Sequence, residues 1–220
     1  MSTTTPPPIA PASTHQHAHA AALDACLDFI NTIVLTDGVP ADELGTLDEA
    51  IAFLAGQGLG HDEALRAQAR IDEDAWMARV REARRALRTI WDSTVDARPV
   101  EPPALAILND ILVHAPPPEL RAGVAGVVVD RRHDPDHPLE EALARLAMPL
   151  VEVLASGDTS RFRVCANDGC RWVFEDTSRG GRRRWCDMAS CGNRAKVRRF
   201  RSKRREAAGG GGPTPSRAGA

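Results

Sequence analysis

The sequence predicts an α+β protein in which a mostly helical N-terminal domain with a small β-hairpin precedes a small module built on four cysteines. Three observations support this prediction. Apolar residues recur at helical spacing through most of residues 21–157, one β-branched stretch interrupts them, and four of the five cysteines form two close pairs after residue 160. Residues 1–20 and 207–220 hold few large apolar side chains, which predicts disordered tails.

The helices of the N-terminal domain are predicted from apolar periodicity and from signals at their ends. Thr46 and Glu49 have the spacing of a capping box, so they open a helix that Gly56 closes. A long helix from Glu73 to about Val95 carries apolar residues at intervals of three and four. The predicted helices cover residues 21–35, 46–56, 61–71, 73–95, 104–114 and 137–154, and residues 120–132 are predicted to form a hairpin or an edge pair.

Two polar residues interrupt the apolar face of the first helix. Cys26 lies within that face and is interpreted as a small buried hydrophobe rather than a reactive thiol. Asn31 and Thr32 follow it. Their side chains either line a pocket for a small-molecule ligand or satisfy the backbone at the helix end. Both interpretations stay open, and these two residues are the candidate ligand-binding residues of the domain.

The cysteine pairs have the spacing of a tetrahedral metal site. Four residues separate Cys165 from Cys170, four separate Cys186 from Cys191, and fifteen lie between the pairs. Four thiolates complete the shell of a zinc ion, which predicts one structural Zn²⁺ without an open position for catalysis. Two disulfides would require an oxidising compartment, which the N-terminus does not indicate because it lacks a secretory signal pattern. Iron accepts the same ligands and stays an alternative.

The charge of the chain is divided sharply between its two parts. Residues 161–205 contain fifteen basic and four acidic side chains, whereas residues 1–160 contain twelve basic and twenty-five acidic ones. Thirteen of the fifteen basic residues are arginines, whose planar guanidinium group suits phosphate oxygens and the edge of guanine. The basic module therefore predicts a nucleic-acid partner, with docking onto the acidic N-terminal domain as the alternative.

The basic residues are concentrated in the loop between the cysteine pairs and in a predicted helix after the second pair. Val197 and Phe200 lie on another face of that helix and are predicted to pack on the metal core. Trp172, Phe174 and Trp185 are predicted to cover the ion rather than stack on bases. The candidate nucleic-acid contacts are Arg179, Arg182, Arg183 and Arg184 in the loop and Arg194, Lys196, Arg198, Arg199, Arg201, Lys203 and Arg205 in the helix.

Four short motifs between Arg163 and Arg201 carry a family resemblance. They are the C-x4-C spacing, the W-x-F-x-D-x-S run that begins at Trp172, the R-W-C run that ends at Cys186, and C-G-N-R from Cys191. This stretch resembles the CGNR zinc finger. The resemblance implies that the four cysteines of the two pairs are the metal ligands, and we expect a treble-clef-like finger.

Proteins with this finger typically carry an N-terminal domain called ABATE. The segment D-F-I-N-T from Asp28 to Thr32 is similar to a segment near the start of such domains. The family occurs mainly in bacteria with GC-rich genomes, which agrees with the alanine and arginine bias of this chain. The resemblance implies a stress-induced transcription regulator whose N-terminal domain senses a signal, binds a ligand or dimerises.

The predicted function is a zinc-dependent regulator that binds nucleic acid, with double-stranded DNA as the expected partner. An RNA-binding module and a protein-interaction adaptor are the alternatives, and a homodimer stays open. No enzyme activity is predicted, because the chain lacks phosphate-binding, dinucleotide-binding, nucleophile-elbow and zinc-protease motifs. No apolar run reaches the roughly 18 residues of a membrane span, so a soluble cytoplasmic protein is expected.

Overall fold

The computed structural model describes residues 23–36, 39–124, 126–131 and 133–209. The helices are α1 (residues 23–31), α2 (Leu47–Gly56), α3 (Asp62–Ala69), α4 (Glu73–Val95), α5 (Pro102–Leu112), α6 (Pro138–Ser156) and α7 (Asn193–Gly209), with a π-helical turn at Met188–Gly192. Three antiparallel strand pairs lie within the described residues: β1 (Ile33–Thr36) with β2 (Val39–Asp42), β3 (Pro118–Gly123) with β4 (Gly126–Arg131), and β5 (Phe162–Val164) with β6 (Val173–Glu175).

The predicted tails lie mostly outside these ranges. Residues 1–20 and 210–220 are not among the described residues, whereas α7 continues to Gly209, past the predicted start of the C-terminal tail at residue 207.

The core of the N-terminal domain is built around α4. This helix begins and ends where its periodicity predicts, and it packs against α5, α6 and β5. Asp72 caps its first turn, since its side chain accepts a hydrogen bond from the Ala75 N–H at 2.9 Å. Val80, Leu87 and Trp91 are buried on the face that meets the other helices.

Local signals mark the starts of other helices, and the one predicted for α2 is confirmed. The capping box of α2 is present, because the Thr46 hydroxyl accepts from the Glu49 N–H at 3.3 Å and Glu49 Oε2 accepts from the Thr46 N–H at 2.9 Å. Prolines open α5 and α6 at Pro102 and Pro138, positions where the missing N–H has no helical partner.

The prediction of a helix through residue 35 is wrong at its C-terminal end. Helix α1 ends at residue 31, and the following residues form β1, which pairs with β2 from Thr36 opposite Val39 to Ile33 opposite Asp42. Three of the four β1 residues are β-branched, and the dipeptide at positions 37–38 is Asp-Gly, which is typical of a two-residue hairpin turn. Strand propensity and turn chemistry here outweigh the apolar periodicity that favoured a helix.

The hairpin predicted in residues 120–132 is confirmed as β3–β4. Its register places Leu120 opposite Val129 and Ala122 opposite Val127. The apolar side chains of Leu120, Val127 and Val129 are 71%, 73% and 64% exposed. The hairpin therefore contributes little to the core.

Strands β5 and β6 attach the cysteine module to the N-terminal core. Phe162 of β5 stacks on Trp91 of α4, with 3.8 Å between the ring centroids, and both rings are buried. Trp91 Nε1 donates to the Arg163 carbonyl at 3.1 Å. Val173 of β6 is fully buried in the same apolar cluster. The apolar core thus continues across the predicted domain boundary at residue 157.

We call the contact of β5 and β6 with the N-terminal core the seam. A single amide side chain forms hydrogen bonds across it. Asn31, at the end of α1, is buried, and it bonds both backbone groups of Val173: Nδ2 donates to the carbonyl at 2.9 Å, and Oδ1 accepts from the N–H at 2.8 Å. A buried backbone N–H and C=O must find partners, and here one side chain supplies both. Asn31 therefore fixes the position of β6 relative to the N-terminal domain.

Candidate metal centre and basic surface

The four cysteine sulfurs converge in one cluster. All four Sγ atoms lie within 4.8 Å of one another. Cys186 Sγ lies 3.7 Å from Cys170 Sγ and 3.8 Å from Cys191 Sγ. In a tetrahedral site with Zn–S bonds of about 2.3 Å, neighbouring sulfurs are about 3.8 Å apart. The cluster has the donor set and the dimensions of a metal site.

A small core of its own encloses the cluster. Cys165, Phe174 and Cys191 are buried, and Trp172 and Trp185 pack beside them. The prediction that these aromatic side chains cover the cysteines is confirmed. Three buried residues form too small a core to fold without additional support, which a bound ion would supply.

Asn167 connects the first cysteine pair to the second pair and to α7. Its carbonyl accepts from the Cys170 N–H at 2.8 Å, which forms the tight turn between the first two ligands. Its Nδ2 donates to Cys191 Sγ at 3.5 Å, and its Oδ1 accepts from Arg198 Nη2 at 3.1 Å. These bonds orient the Cys191 sulfur from outside the cluster, a role that residues behind metal ligands commonly play.

Burial and hydrogen bonding act in opposite directions on the thiols. Burial raises the pKa of Cys170 and Cys186, and at Cys186 the charge of Cys165 raises it further. Burial also acts to raise the pKa of Cys191, but hydrogen bonds led by the Asn167 amide outweigh it and lower that pKa. Cysteines with raised pKa values keep their protons at neutral pH until a metal displaces them.

The C-G-N-R run carries the chain from the cluster into α7. After the ligand sulfur of Cys191, Gly192 is crowded, since a Cβ there would lie 2.9 Å from Met188 Sδ. Asn193 Nδ2 then donates to the Ala189 carbonyl at 2.9 Å. The arginine that ends the motif is exposed on the helix. Three positions of the motif thus build the turn, and the fourth faces outward.

A buried carboxylate, which sequence reasoning missed, holds the basic loop between the pairs. Asp176 accepts from the Ser178 N–H at 3.0 Å, from the Ser178 hydroxyl at 2.5 Å and from the Arg183 N–H at 2.7 Å. These bonds, the hydroxyl first, lower the pKa of Asp176. Arg161 and Arg163 also hold the loop, because they donate hydrogen bonds to the carbonyls of Ser178 and Gly181. The loop therefore presents its arginines from a fixed backbone.

Most of the predicted nucleic-acid contacts are exposed in the structure. Arg194, Arg198 and Arg201 share one face of α7. Together with Val197 they line an open groove with a volume of about 750 Å³. Eight candidate side chains are exposed and take part in no salt bridge within the described residues: Arg179, Arg182, Arg184, Arg194, Lys196, Arg199, Arg201 and Lys203. The surface thus carries positive charge that the rest of the described chain leaves unpaired.

Two predicted contacts are also engaged in the fold. Arg183 donates to the Cys186 carbonyl. Arg198 donates to Asn167, as described above. Arg183 thus contacts a cysteine of the cluster directly, and Arg198 contacts the side chain that bonds Cys191. The side chain of Arg205 lies outside the described residues.

The prediction that Val197 and Phe200 pack on the metal core is wrong. Their side chains are 48% and 62% exposed. The aromatic rings around Phe174 already enclose the sulfurs, and α7 packs mainly on the π-helical turn that precedes it. The helix therefore projects from the finger instead of lying against it.

Both candidate ligand residues are engaged in internal hydrogen bonds. Asn31 holds Val173 in the seam. The Thr32 hydroxyl donates to the Phe29 carbonyl at 2.7 Å and accepts from Arg84 Nη1 at 2.7 Å. Thr32 corresponds to the second interpretation, because it bonds a carbonyl at the end of α1. Asn31 instead bonds the backbone of a strand in the finger, which neither interpretation included.

A cavity of about 580 Å³ opens beside Thr32, between α4, the β1–β2 hairpin and the first cysteine pair. Ile30, Ile33 and Leu35 supply its apolar lining. Its charged lining consists of five arginines and two aspartates, namely Arg81, Arg84, Arg85, Arg88, Arg171, Asp42 and Asp92. The cavity is therefore amphipathic and carries an excess of positive charge.

Two of these arginines are paired. Arg84 bonds both oxygens of Asp42, at 2.7 and 2.5 Å. Burial alone would raise the pKa of Asp42, but the bonds and charge of Arg84 outweigh it and lower the pKa. Arg88 Nε donates to Asp92 Oδ2 at 2.9 Å, while the buried Asp92 Oδ1 finds no hydrogen-bond partner within the described residues.

Two family models match the chain, one on each side of the seam. The first is ABATE, described as "Putative stress-induced transcription regulator", and it covers residues 23–157. The chain belongs to the ABATE family. The second, the CGNR zinc finger, covers residues 161–204 and includes all four clustered cysteines. The two matched ranges therefore meet between α6 and β5.

The two matched families indicate the general class of this protein. ABATE is a family of regulator type and CGNR is a zinc finger, and neither is an enzyme family. No curated protein matches the chain. Within the described residues, no helix is both long and apolar enough to cross a bilayer.

Proposed function

We propose that this protein is a zinc-dependent transcription regulator that binds double-stranded DNA through its finger, in the cytoplasm of a bacterium under stress. One structural Zn²⁺ bound by Cys165, Cys170, Cys186 and Cys191 would hold the finger. The observation that carries the proposal is the exposed arginine face of α7, which leaves the metal cluster directly after Cys191.

Zinc fits this site because the site is closed. Four thiolates and the surrounding rings leave no position for a substrate, and zinc adopts tetrahedral sulfur coordination without redox chemistry. The neighbouring sulfurs stand at the separation that such coordination requires. Metal analysis of the purified protein separates zinc from iron directly.

Helix α7 has the shape and charge to enter a DNA groove. Its 17 residues extend about 26 Å beyond the finger. A helix with its side chains is about 10 to 12 Å in diameter, which matches a major groove about 12 Å wide. Arg194 and Arg201 lie on one face, where their guanidinium groups suit phosphate oxygens or guanine edges. The loop arginines Arg179, Arg182 and Arg184 supply further charge for the DNA backbone.

The ABATE domain would act as the sensing part of the regulator. The cavity beside Thr32 combines an apolar lining with excess arginine, which suits a small organic anion. The unpaired Asp92 Oδ1 could accept a hydrogen bond from such a ligand. Because Cys170 and Arg171 also line this cavity, a ligand would contact the finger. A homodimer would use the exposed apolar face of the β3–β4 hairpin, which includes Leu120 and Val129.

The proposal is tested with the full-length zinc-loaded protein and a charge-reversed double variant, R194E/R201E. Arg198 is left unchanged because it also supports Asn167. Affinity for a mixed-sequence DNA duplex is measured by fluorescence anisotropy over a salt series. Each lost phosphate contact makes the slope of log K against log salt about 0.9 shallower, so the double variant should lose about 1.8. The matched control is Arg70→Glu, which reverses an exposed arginine in the ABATE domain.

The outcomes separate the proposed function from its alternatives. Weak DNA binding by R194E/R201E and unchanged binding by Arg70→Glu support the proposal. Equal affinity of the double variant and the parent protein would exclude the α7 face. Tighter binding to double-stranded or single-stranded RNA than to DNA would assign the surface to RNA, and binding to neither would leave the protein-interaction adaptor.

A further inference from the structure

Three metal-ligating side chains converge outside the finger, at the base of the β3–β4 hairpin. His114 follows α5, whereas Asp134 and His137 precede α6. Asp134 Oδ2 lies 3.4 Å from His114 Nδ1 and 3.0 Å from His137 Nδ1. All three ligand atoms lie within 4.8 Å of one another, and the two imidazole centroids are 4.7 Å apart.

These distances resemble those between the ligands of a bound transition metal. Bonds of about 2.0 to 2.1 Å to nitrogen and oxygen in a tetrahedral site place neighbouring ligand atoms about 3.3 to 3.4 Å apart. Both distances to Asp134 Oδ2 are within a few tenths of an ångström of this separation. The same geometric comparison identifies the cysteine cluster of the finger.

The carboxylate of this group is positioned by its neighbours. Glu141 is 4% exposed, and its Oε2 accepts from the Asp134 N–H at 2.7 Å while its Oε1 lies 2.8 Å from His133 Nδ1. Asp134 Oδ1 accepts from the N–H groups of Asp136 and His137 at 3.1 and 3.2 Å. These bonds leave Oδ2 directed to the two imidazoles, as expected for a preorganised ligand.

We propose that His114, Asp134 and His137 form a second metal site, which binds a divalent first-row transition ion such as Zn²⁺. Two imidazoles and one carboxylate are a typical ligand set for such ions, and three protein ligands leave at least one position for water. Without thiolates and with an incomplete shell, this site binds its ion more weakly than the four cysteines do. Its occupancy therefore responds to free metal at concentrations where the finger stays loaded.

The location of the site indicates what its occupancy changes. His114 and Asp134 are 20 residues apart in sequence, and the segment between them contains the exposed hairpin. An ion bound to both would close this segment at its base and restrict the motion of β3 and β4. The hairpin would thus become more ordered when the second site is filled.

The test is a cobalt titration of the metal-free, reduced full-length protein. His15, His17 and His19 are first replaced by alanine, because the imidazoles of this segment could also bind cobalt. The first equivalent should fill the finger and give the intense thiolate-to-cobalt charge-transfer absorption. A second equivalent should bind with only weak visible absorption. His114→Ala and His137→Ala should each lose the second equivalent and keep the first.

Two further measurements test the second site if His114→Ala or His137→Ala does not fold. His61→Ala, which removes an imidazole that is neither a proposed ligand nor bonded to Glu141, should retain both equivalents. Amide hydrogen exchange in residues 118–131 should slow when the second equivalent is added to the parent protein. Binding of a single equivalent, or two equivalents in His114→Ala and His137→Ala, overturns the second site. Because the charge-transfer band reports the finger separately, this result leaves the proposed DNA-binding function untouched.

Discussion

The two cores of this protein differ in what holds them together. The ABATE core draws buried side chains from α1 to α6 and from β5 and β6, and apolar burial of roughly 25 cal/mol per Å² suffices for a core of that extent. The finger core has only Cys165, Phe174 and Cys191. Strand β6 belongs to both, since Val173 lies in the first core and Phe174 in the second. Packing thus fixes the inner strands of the finger, whereas we expect its outer part to depend on the proposed metal.

The largest expected effect comes from removing a ligand. Cys191→Ser should abolish metal binding at the finger and unfold α7 and the turn before it, because a structural zinc site contributes roughly 10 to 16 kcal/mol of apparent binding energy. Helices α2 to α6 should keep their circular dichroism signal. Metal content is measured by mass spectrometry, and DNA binding by anisotropy should be lost with it.

The matched control for this variant is Cys26→Ala. Cys26 is fully buried in the ABATE core, and burial raises its pKa to about 12, so it stays a neutral thiol. This variant should lose some stability and keep its full finger metal. A normal metal content in Cys191→Ser would contradict the ligand assignment.

The second prediction concerns the ring that joins the two cores. Trp91→Ala removes the partner of Phe162 and should lower the free energy of unfolding by roughly 3 to 5 kcal/mol, as large-to-small changes in cores do. Chemical denaturation followed by circular dichroism measures the loss. Trp91→Phe keeps an aromatic ring, and it removes the bond to the Arg163 carbonyl and only part of the indole volume, so it should cost less. Equal losses in the two variants would mean that the stacked rings add nothing.

The third prediction concerns the amide in the seam. Asn31→Ala leaves the N–H and the carbonyl of Val173 buried without their partner, which should cost about 1 to 3 kcal/mol. The finger should still bind metal, but amide exchange in β6 should become faster. Asn109→Ala, at an exposed position on α5, should change stability by less than about 0.5 kcal/mol. If the two variants behave alike, Asn31 does not couple the domains.

The smallest effect expected is a dependence of metal affinity on pH. The thiols of Cys170 and Cys186 have raised pKa values, so below those values the metal-free finger holds protons that binding must release. Affinity should therefore fall as pH falls, by up to about tenfold per pH unit for each proton released. Competition with a chelator of known pH dependence measures the slope. An affinity that stays constant between neutral and mildly acidic pH would show that the ligands are already deprotonated.

The sequence predicts the local structure of this chain better than its long-range contacts. Helix α4, the capping box at Thr46 and the cluster of four cysteines follow from spacing within a short stretch of chain. The apolar periodicity of residues 21–35 does not predict the β1–β2 hairpin, whereas the turn dipeptide that follows Thr36 does. The Asp-Gly dipeptide is itself a local signal, because it favours a hairpin turn over a continuing helix.

The seam could not be predicted, because nothing local marks it. Asn31 and Val173 are 142 positions apart, and no periodicity in either segment indicates that they meet. Asp176 follows another acid, Glu175, at the start of the basic loop, so the sequence does not show which of the two is buried beneath it. The exposure of Phe200 was mispredicted for the same reason, since other rings already occupy the metal core.

The measurement that tests the central claim most directly is amide hydrogen exchange along the whole chain before and after chelation. If metal holds only the outer part of the finger, residues 186–209 should lose protection, while β5, β6 and helices α2 to α6 keep theirs. Protection that persists through residues 186–209 in protein shown to be free of metal would contradict the account. So would the collapse of α2 to α6 together with the finger.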